Sequence, residues 1–148
     1  MALTETPNNK RIARRYAELI NQHDAALYNE VCSPRFRDHN PAPGFQDDLE
    51  GMKSFMSQVF AGFPDVRVEV DRLLVSDEFV TILWTAHATH EGPFMGVAAT
   101  GKRTTMNGIE VIRIRKGLVS DSWHSEDLLG LMQQIGAVPE QTAVPVAA

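Results

Sequence analysis

The stretch RTTMNGIEVIRIRKGLVSDSWH, residues 103–124, decides the fold. Residues 103–115 alternate between apolar and polar side chains, and this period of two is typical of a β-strand. Lys116-Gly117 then supplies turn residues, and residues 118–124 continue with a second strand-like run. We therefore predict a hairpin of two strands.

The chain before this hairpin predicts two further strands. Val66, Val68 and Val70 alternate with charged residues, and residues 79–90 form a longer run rich in β-forming residues. One face of that longer run carries Val80, Ile82, Trp84 and Ala86. We expect these strands to meander through one antiparallel sheet.

The first half of the chain has helical periodicity. Apolar residues recur three or four positions apart in three segments, which predict three helices. Their apolar positions are Ile12, Tyr16, Leu19 and Ile20, then Leu27, Tyr28 and Val31, then Leu49, Met52, Phe55, Met56, Val59 and Phe60. The segment CSPRFRDHNPAPGF, residues 32–45, contains several prolines and a glycine, so we expect an irregular or short extended piece. A last short helix follows the hairpin, with Ser125 as its cap and Gly136 as its stop.

Helices followed by a meandering sheet define the α+β class. A curved antiparallel sheet wrapped by N-terminal helices leaves a cone-shaped hollow, and a ligand would bind there. We predict a single domain over residues 1–148, with a core at about 8–136 and tails at 1–8 and 137–148.

Composition and charge argue against several classes of function. The 148 residues carry 14 Lys and Arg against 19 Asp and Glu, a net charge of -5. Nucleic acids and anionic membranes both require a basic face, so neither is an expected partner. The chain has no run of about 18 apolar residues and no apolar core of a secretory signal near its N-terminus. We expect a cytoplasmic protein.

Motifs for metal and cofactor binding are missing from the sequence. The single cysteine, Cys32, permits neither an internal disulfide nor a cysteine-based zinc site. No HxH or HExxH pattern occurs, so no metal site is predicted. No GxGxxG, Walker or GxSxG motif occurs either, so we predict no nucleotide cofactor and no nucleophile elbow.

Glu110 is the first candidate for chemistry. It shares one face of its strand with Met106, Gly108, Ile112 and Ile114, and that face is otherwise apolar. Ionising a carboxyl that points into an apolar cavity is costly, so its pKa should rise and it would suit a general acid or base. The alternative is a structural role, in which Glu110 pairs with a buried arginine or a tyrosine.

Asp127 is the second candidate. It follows Trp123 by four residues, where the last strand joins the last helix, and a side chain there looks along the mouth of the sheet. The alternative is an acid in the first helical turn, which complements the helix dipole by about 0.3–1 kcal/mol. The pattern by itself favours this structural role.

Histidines and aromatic residues are candidates for lining the hollow. His39 lies in RDHNP and His90 in ATHEGPF. His87 and His90 are three residues apart, so within one strand they lie on opposite faces, and His90 joins the face of Trp84. Large aromatic residues more often pack a core, but some must line any cavity; they include Trp84, Trp123, Phe55, Phe60 and Phe94.

The stretch THEGPFMGVAATGKRTTMNGIEVIRIRKGLVSDSWHSEDLLGLMQQIG, residues 89–136, resembles the SnoaL-like polyketide cyclases of the NTF2-like superfamily. The shared features are Gly92, Phe94-Met95-Gly96, Thr100-Gly101-Lys102, Gly108, Arg113, Lys116-Gly117, Trp123, Asp127, Leu131 and Gln134-Ile135-Gly136. The N-terminal helix, His39-Asn40-Pro41 and the start of the third helix around Gly51 fit as well. The similarity covers about residues 8–136.

The resemblance implies a cone-shaped α+β barrel that dimerises through its sheet. It implies that Asp127 is the general acid/base of an intramolecular aldol ring closure, without metal or cofactor, because the conjugated carbonyl groups of the substrate spread the charge. Those cyclases carry a histidine where this chain has Glu110, and two nearby acids could share a proton. His39, Asn40 and His90 lie in matching segments and are expected in the cavity.

We predict a cofactor-free aldol-type cyclase that acts on a hydrophobic, carbonyl-rich molecule such as a polyketide ester. Asp127 is the expected base and Glu110 the second acid. The expected substrate-binding residues are His39, Asn40, Trp84, His90, Phe94 and Trp123. Two alternatives stay open: an epoxide hydrolase or ketosteroid-isomerase-like enzyme of the same fold, and a non-catalytic dimer that binds a hydrophobic ligand. An epoxide hydrolase would need an Asp–Arg–Asp cluster, and Arg113 lies on the face opposite Glu110.

Overall fold

A computed structural model describes residues 6–140 of the chain. Its helices are α1 (Thr6–Glu18), α2 (Tyr28–Val31), α3 (Leu49–Gly62) and α4 (Leu128–Gln134), with single 3-10 turns at Leu19–Gln22 and Ala25–Leu27. Its strands are β1 (Cys32–Asp38), β2 (Arg67–Ser76), β3 (Phe79–Thr89), β4 (Arg103–Arg115) and β5 (Leu118–Glu126). The α+β class and the order of the predicted helices and strands are confirmed.

The sheet is mixed and open, with the strand order β1-β5-β4-β3-β2. Four strands are antiparallel as predicted, but β1 lies parallel to β5 and extends the sheet beyond the hairpin. The sequence prediction had described this segment as irregular or a short extended piece. Pro34 is tolerated within β1 because β1 is an edge strand, where one row of backbone amides needs no partner strand.

The predicted β4–β5 hairpin and its turn are confirmed. Lys116 and Gly117 both have positive φ, 52° and 77°, as a two-residue hairpin turn of matching twist requires. The predicted inner face is also confirmed, since Gly108, Ile112 and Ile114 are buried on it. On the opposite face Ile109 is 51% exposed.

Helices cover the inner face of the sheet. The apolar stripe of α1 places Ala13 and Tyr16, with Leu19 of the following 3-10 turn, in one buried cluster with the inner faces of β3, β4 and β5. A second cluster joins the end of α3 to α4 through residues that include Phe63 and Leu131. A cavity lies between the two clusters and is bounded by members of both.

The ends of the domain differ in detail from the prediction. The N-cap of α4 is Asp127, whose carboxylate accepts a hydrogen bond of 2.9 Å from the Gly130 amide, and not Ser125. Gly136 does end the helix, with a φ of 81°. The following Ala137 donates a backbone hydrogen bond of 2.9 Å to Met132, so part of the predicted tail packs against α4. Residues 6–8, predicted as part of the N-terminal tail, are the first residues of α1. Tail residues 1–5 and 141–148 lie outside the described residues.

None of the helices between residues 6 and 140 is long and apolar enough to cross a membrane.

Candidate active site

The cavity has a volume of about 350 Å³ and is mostly apolar. Its walls come from α1, β1, the segment after β1, α3 and the inner faces of β3, β4 and β5, and α4 closes one side. A chain of phenylalanine rings in edge-on and tilted contacts borders it: Phe45, Phe55, Phe94 and Phe63. This size and lining suit a small hydrophobic molecule.

Glu110 extends from the inner face of β4 into this cavity. Its Oε1 accepts hydrogen bonds from the Tyr16 hydroxyl (2.7 Å) and the Ser122 hydroxyl (2.6 Å). No described residue donates a hydrogen bond to Oε2. Burial raises the pKa of Glu110, although the bonds from Ser122 and Tyr16 oppose the shift. The carboxyl therefore favours its protonated form more than an exposed glutamate does, and it has one oxygen available to a ligand.

Tyr16 holds Glu110 from the helical side of the cavity. It lies on the buried stripe of α1 and packs edge-on against Tyr28, with the ring centroids 5.8 Å apart. Burial and the neighbouring Glu110 raise the pKa of Tyr16 well above its ordinary value. Tyr16 is therefore a neutral phenol that donates its proton to the Glu110 carboxyl.

A second polar cluster lies beside Glu110 on the inner face of β5. The ring of His124 lies between two carboxylates: Nε2 is 3.1 Å and 3.2 Å from the oxygens of Asp38, and Nδ1 makes a short contact with Glu126. Burial disfavours charge on this ring, but the bonds to Asp38 and Glu126 outweigh it and raise the pKa of His124 to about 10. His124 is therefore an imidazolium at neutral pH.

Strand register brings these groups together. Glu110 of β4 is the direct cross-strand partner of His124 of β5, and Asp38 at the end of β1 is the partner of Ser122. Ser122, His124 and Glu126 alternate along β5, so they share its inner face. All of these side chains line the cavity.

Asn40 fixes the exit of β1 against β5. Its side-chain oxygen accepts a hydrogen bond of 3.0 Å from the His124 amide, and its side-chain nitrogen donates to the His124 carbonyl. The Asn40 amide also donates to Asp38 at 3.0 Å. As predicted, Asn40 lines the cavity, and so do Trp84, Phe94 and Glu110.

Trp84 reaches the cavity because Gly108 has no side chain. A Cβ at position 108 would lie 2.0 Å from the Trp84 ring, so any other residue there would displace the indole. The two residues are cross-strand partners on β3 and β4. The glycine is therefore needed to shape this wall of the cavity.

Two residues expected in the cavity lie on the other side of the sheet. Trp123 alternates with Ser122 and His124, so it faces outward, and His39 stacks on it with 4.2 Å between the ring centroids. His39 also contacts the Asp121 carboxylate through Nε2, at 2.9 Å. Neither His39 nor Trp123 lines the cavity. The period of two, applied to β5, would have placed Trp123 correctly.

His90 lies behind the cavity wall and does not line it. Its side chain is fully buried, with a hydrogen bond of 3.0 Å between Nδ1 and the Thr100 hydroxyl and no partner for Nε2. Its backbone bonds to residues 100–102 hold the loop after β3 in place. His90 is past the end of β3, so the period of two does not place it.

Asp127 is exposed and does not line the cavity. Its carboxylate caps α4, which is the structural role that the sequence pattern favours. The catalytic role implied by the family resemblance stays a prediction. The residue just before it, Glu126, is the one that lines the cavity.

Sequence reasoning missed five polar residues of the cavity: Tyr16, Asp38, Ser122, His124 and Glu126. The signal available for the last three was their alternation along β5 opposite Glu110. Between residues 6 and 140, no group of three or more His, Cys, Asp and Glu side chains is arranged to hold a metal ion.

An open curved sheet, helices over its inner face and a cavity with an acid–base cluster place the molecule among the NTF2-like folds. Within that class, the chain belongs to the SnoaL-like polyketide cyclase family, whose family model matches residues 10–135.

Known relatives and structures agree with this assignment. Aklanonic acid methyl ester cyclase DnrD of Streptomyces peucetius is 27% identical over 134 residues, which cover 84% of this chain and 88% of that protein. The structure of TsrD from Streptomyces laurentii has a TM-score of 0.80 and 25% identity, and covers 89% of this chain and 97% of that one. IdmH from Streptomyces antibioticus, proposed to be a polyketide cyclase, has a TM-score of 0.76 and 26% identity, with coverages of 86% and 98%.

Proposed function

We propose that this protein is a cofactor-independent acid–base enzyme that closes a ring by an intramolecular aldol reaction. Its substrate would be a hydrophobic, carbonyl-rich molecule such as a polyketide ester. The observation that carries the proposal is Glu110: a carboxyl with a raised pKa that faces an apolar cavity and whose Oε2 receives no hydrogen bond from residues 6–140.

The chemistry needs a proton donor beside the carbonyl that becomes an alcohol. As the new carbon–carbon bond forms, negative charge develops on that carbonyl oxygen. A protonated Glu110 donates its proton from Oε2 to this oxygen, while Tyr16 and Ser122 hold Oε1. The same two hydroxyls then stabilise the carboxylate that remains.

The relatives support this class of reaction. DnrD, the cyclase of aklanonic acid methyl ester, matches 84% of this chain, and its name gives both a ring closure and a methyl ester substrate. The apolar cavity of about 350 Å³ is compatible with such a molecule. At 27% identity the substrate of this chain is our proposal and not the relative's property transferred.

A second candidate is an isomerase that moves a proton next to a carbonyl, as the ketosteroid isomerases do. Glu110 favours it, because a carboxyl whose pKa burial raises and whose Oε1 is held by Tyr16 can donate a hydrogen bond from its other oxygen to an enolate. The epoxide hydrolase alternative lacks such support, since Arg113 bonds to Glu78 on the outer face.

Product analysis with aklanonic acid methyl ester tests the proposal. Ring closure leaves the mass unchanged and creates a carbon–carbon bond, which carbon–carbon coupling in a ¹³C-labelled substrate reveals. Proton relocation leaves the mass unchanged without a new bond, and water addition raises the mass by one water. Tight binding with none of these products would mean a non-catalytic binding protein and would refute the proposal for this substrate class.

We also propose that two copies associate through the outer face of the sheet. Ile109 on β4 and Leu74 on β2 are 51% and 53% exposed, which leaves apolar surface for a second copy to cover. Light scattering after size exclusion should give twice the chain mass, and Ile109→Asp should shift the protein toward the monomer. A monomeric wild-type protein at high concentration would refute the dimer.

A further inference from the structure

The two carboxylates that contact the His124 ring determine its protonation state. Each ring nitrogen lies against a carboxylate, Nε2 against Asp38 and Nδ1 against Glu126. A neutral imidazole has one N–H and one lone pair, so in that form one nitrogen would face a carboxylate oxygen with its lone pair. Only the imidazolium gives both carboxylates a donor.

Of the two carboxylates that contact His124, Asp38 is buried and Glu126 is accessible from the cavity. The Asp38 side chain is 9% exposed and also accepts a hydrogen bond from the Asn40 amide, so it is committed to holding the ring. The Glu126 side chain is 33% exposed and lines the cavity. Its Oε1 contacts His124, and no described residue donates a hydrogen bond to its Oε2.

We infer that Glu126 is the general base of the site, oriented by an imidazolium at His124 that Asp38 holds in place. The inference deepens the proposed function and rests on it. Glu126 is assigned a catalytic role because it lines the cavity. His124 and Asp38 are positioning residues, since they act through Glu126.

With this assignment, Glu110 on β4 and Glu126 on the paired strand β5 have different roles in the cavity. Burial raises the pKa of Glu110, and its direct donors are neutral hydroxyls, whereas Glu126 is bonded to a cation. Environments that differ in this way separate an acid from a base. Asp127 is next to Glu126 in sequence but outside the cavity, and its carboxylate is bonded to Gly130.

The proton and electron balance of the step is complete without another reactant. Glu126 takes the proton on the carbon next to a substrate carbonyl, and the electron pair of that C–H bond forms the enolate. The enolate carbon forms a bond to the second carbonyl carbon, whose oxygen takes a proton from Glu110. A proton returned from Glu126 to Glu110 through solvent restores both groups.

The first test compares neighbouring acids. With aklanonic acid methyl ester, Glu126→Gln should lower kcat by about 10²- to 10⁴-fold, the usual contribution of a general base. Asp127→Asn, one residue further along, tests the other base that the family resemblance implies, and an asparagine still caps the helix. Glu78→Gln makes the same substitution as Glu126→Gln on the outer face, so it should retain wild-type kcat. Loss of activity in Asp127→Asn with retention in Glu126→Gln would overturn the assignment.

The second test reads the His124 ring directly and does not depend on turnover. In ¹⁵N-labelled full-length protein, both ring nitrogens of His124 should be protonated at about pH 8, where an ordinary histidine is neutral. Asp38→Asn should bring the ring's titration to lower pH. The charged or titratable groups around it are Asp38, Glu126, Glu110 and Tyr16, so Glu126→Gln provides a second variant if Asp38→Asn fails to fold. A neutral His124 at that pH would refute the imidazolium whatever the substrate proves to be.

A third measurement separates failure of this inference from failure of the proposed function. Exchange of the substrate's α-protons with D₂O reports the base alone, without ring closure. If the wild-type protein exchanges these protons without closing a ring, and Glu126→Gln loses the exchange, then Glu126 is the base and the cyclase proposal is refuted. If Glu126→Gln still exchanges the protons and closes the ring, then Glu126 is not the base and the cyclase proposal stands. Neither exchange nor ring closure in the wild-type protein would refute both.

Discussion

Glu110 and Glu78 are glutamates in opposite environments, one on the inner face of the sheet and the other on its outer face. Glu110 points inward from β4 and is bonded to the hydroxyls of Tyr16 and Ser122. Glu78 lies at the turn before β3 and is bonded to Arg113 on the outer face of β4, at 2.6 Å from its Nε. Burial raises the pKa of Glu110, whereas the bond from Arg113 lowers the pKa of Glu78.

The difference follows from which charges each face provides. On the outer face, solvent and two arginines stabilise the carboxylate of Glu78, so it is a charged surface group. Inside the cavity the direct donors to Glu110 are neutral hydroxyls, which stabilise a carboxylate less than a guanidinium does. A carboxyl whose pKa is raised by burial is suited to proton transfer, and a surface carboxylate is suited to pairing.

The largest expected effect is on catalysis by Glu110. Glu110→Gln keeps the size of the side chain and can accept the same two hydrogen bonds, but it cannot transfer a proton. We expect kcat to fall by about 10²- to 10⁴-fold, the usual contribution of a general acid. Steady-state kinetics with aklanonic acid methyl ester measures this, together with the melting temperature to confirm folding.

Glu78→Gln is the matched control for that change. It makes the same substitution on the outer face, so kcat should stay at the wild-type value. Equal losses in the two variants would show that the difference between the faces does not matter for function. Wild-type kcat in Glu110→Gln would remove Glu110 from the mechanism.

The second prediction concerns how the inner face is packed. Gly108→Ala places a Cβ 2.0 Å from the present position of the Trp84 ring, which must move into the cavity. We expect a loss of about 1–3 kcal/mol in the free energy of unfolding, as for other overpacked cores, and weaker binding of the ligand. Urea unfolding measures the first and a ligand titration the second.

Asn107→Ala, one residue away, tests whether the effect belongs to the inner face. Its side chain is exposed on the outer face, so the change in unfolding free energy should stay within about 0.5 kcal/mol. A larger loss in Asn107→Ala than in Gly108→Ala would contradict the view that the inner face is the more tightly constrained one.

Local periodicity explains why much of this sheet could be predicted from the sequence. Alternation in β4 identifies Glu110 as an inward carboxyl because its face neighbours Ile112 and Ile114 are apolar, and the structure confirms that face. The Lys116-Gly117 turn is likewise local, since both residues need positive φ. Such features depend on residues close together in the chain.

The rest of the site depends on contacts between distant residues. The Tyr16 hydroxyl meets Glu110 across 94 positions of sequence, and Asp38 meets His124 across 86. Asp38 lies in a proline-containing segment whose pairing with β5 has no periodic signal. The expectation that Trp123 and His39 lie in the cavity rests on their being an aromatic and a polar residue near it. It does not use the strand register, which places both residues outside the cavity.

The third prediction uses the opposite pKa shifts of the two glutamates. The pKa of Glu110 is raised from 4.5 on folding, so its stabilising contribution is complete below about pH 4.5 and is lost as the pH rises through the folded-state value. The pKa of Glu78 is lowered from 4.5, so its contribution is present above about pH 4.5 and is lost as the pH falls through the folded-state value.

Urea unfolding from about pH 3 to about pH 8 separates these contributions. As the pH rises above about 4.5, the wild-type protein should lose stability relative to Glu110→Gln. As the pH falls below about 4.5, it should lose stability relative to Glu78→Gln. The same sign of pH dependence for both variants would contradict the opposite environments assigned to these two groups.

The smallest expected effect belongs to Asp127, an acid that lies on neither face of the sheet. Asp127→Ala removes the bond to the Gly130 amide and should lower the free energy of unfolding by about 1 kcal/mol, the usual value of an N-cap, while Asp127→Asn should retain most of it. Because the side chain does not line the cavity, neither variant should change kcat once folding is confirmed. A stability loss without a kinetic one would place Asp127 with Glu78 as a structural acid. A lower kcat in Asp127→Asn at unchanged stability would instead mean that the Asp127 carboxylate leaves the helix cap to reach the substrate. The position of an acid on the inner or outer face would then no longer predict whether it takes part in the reaction.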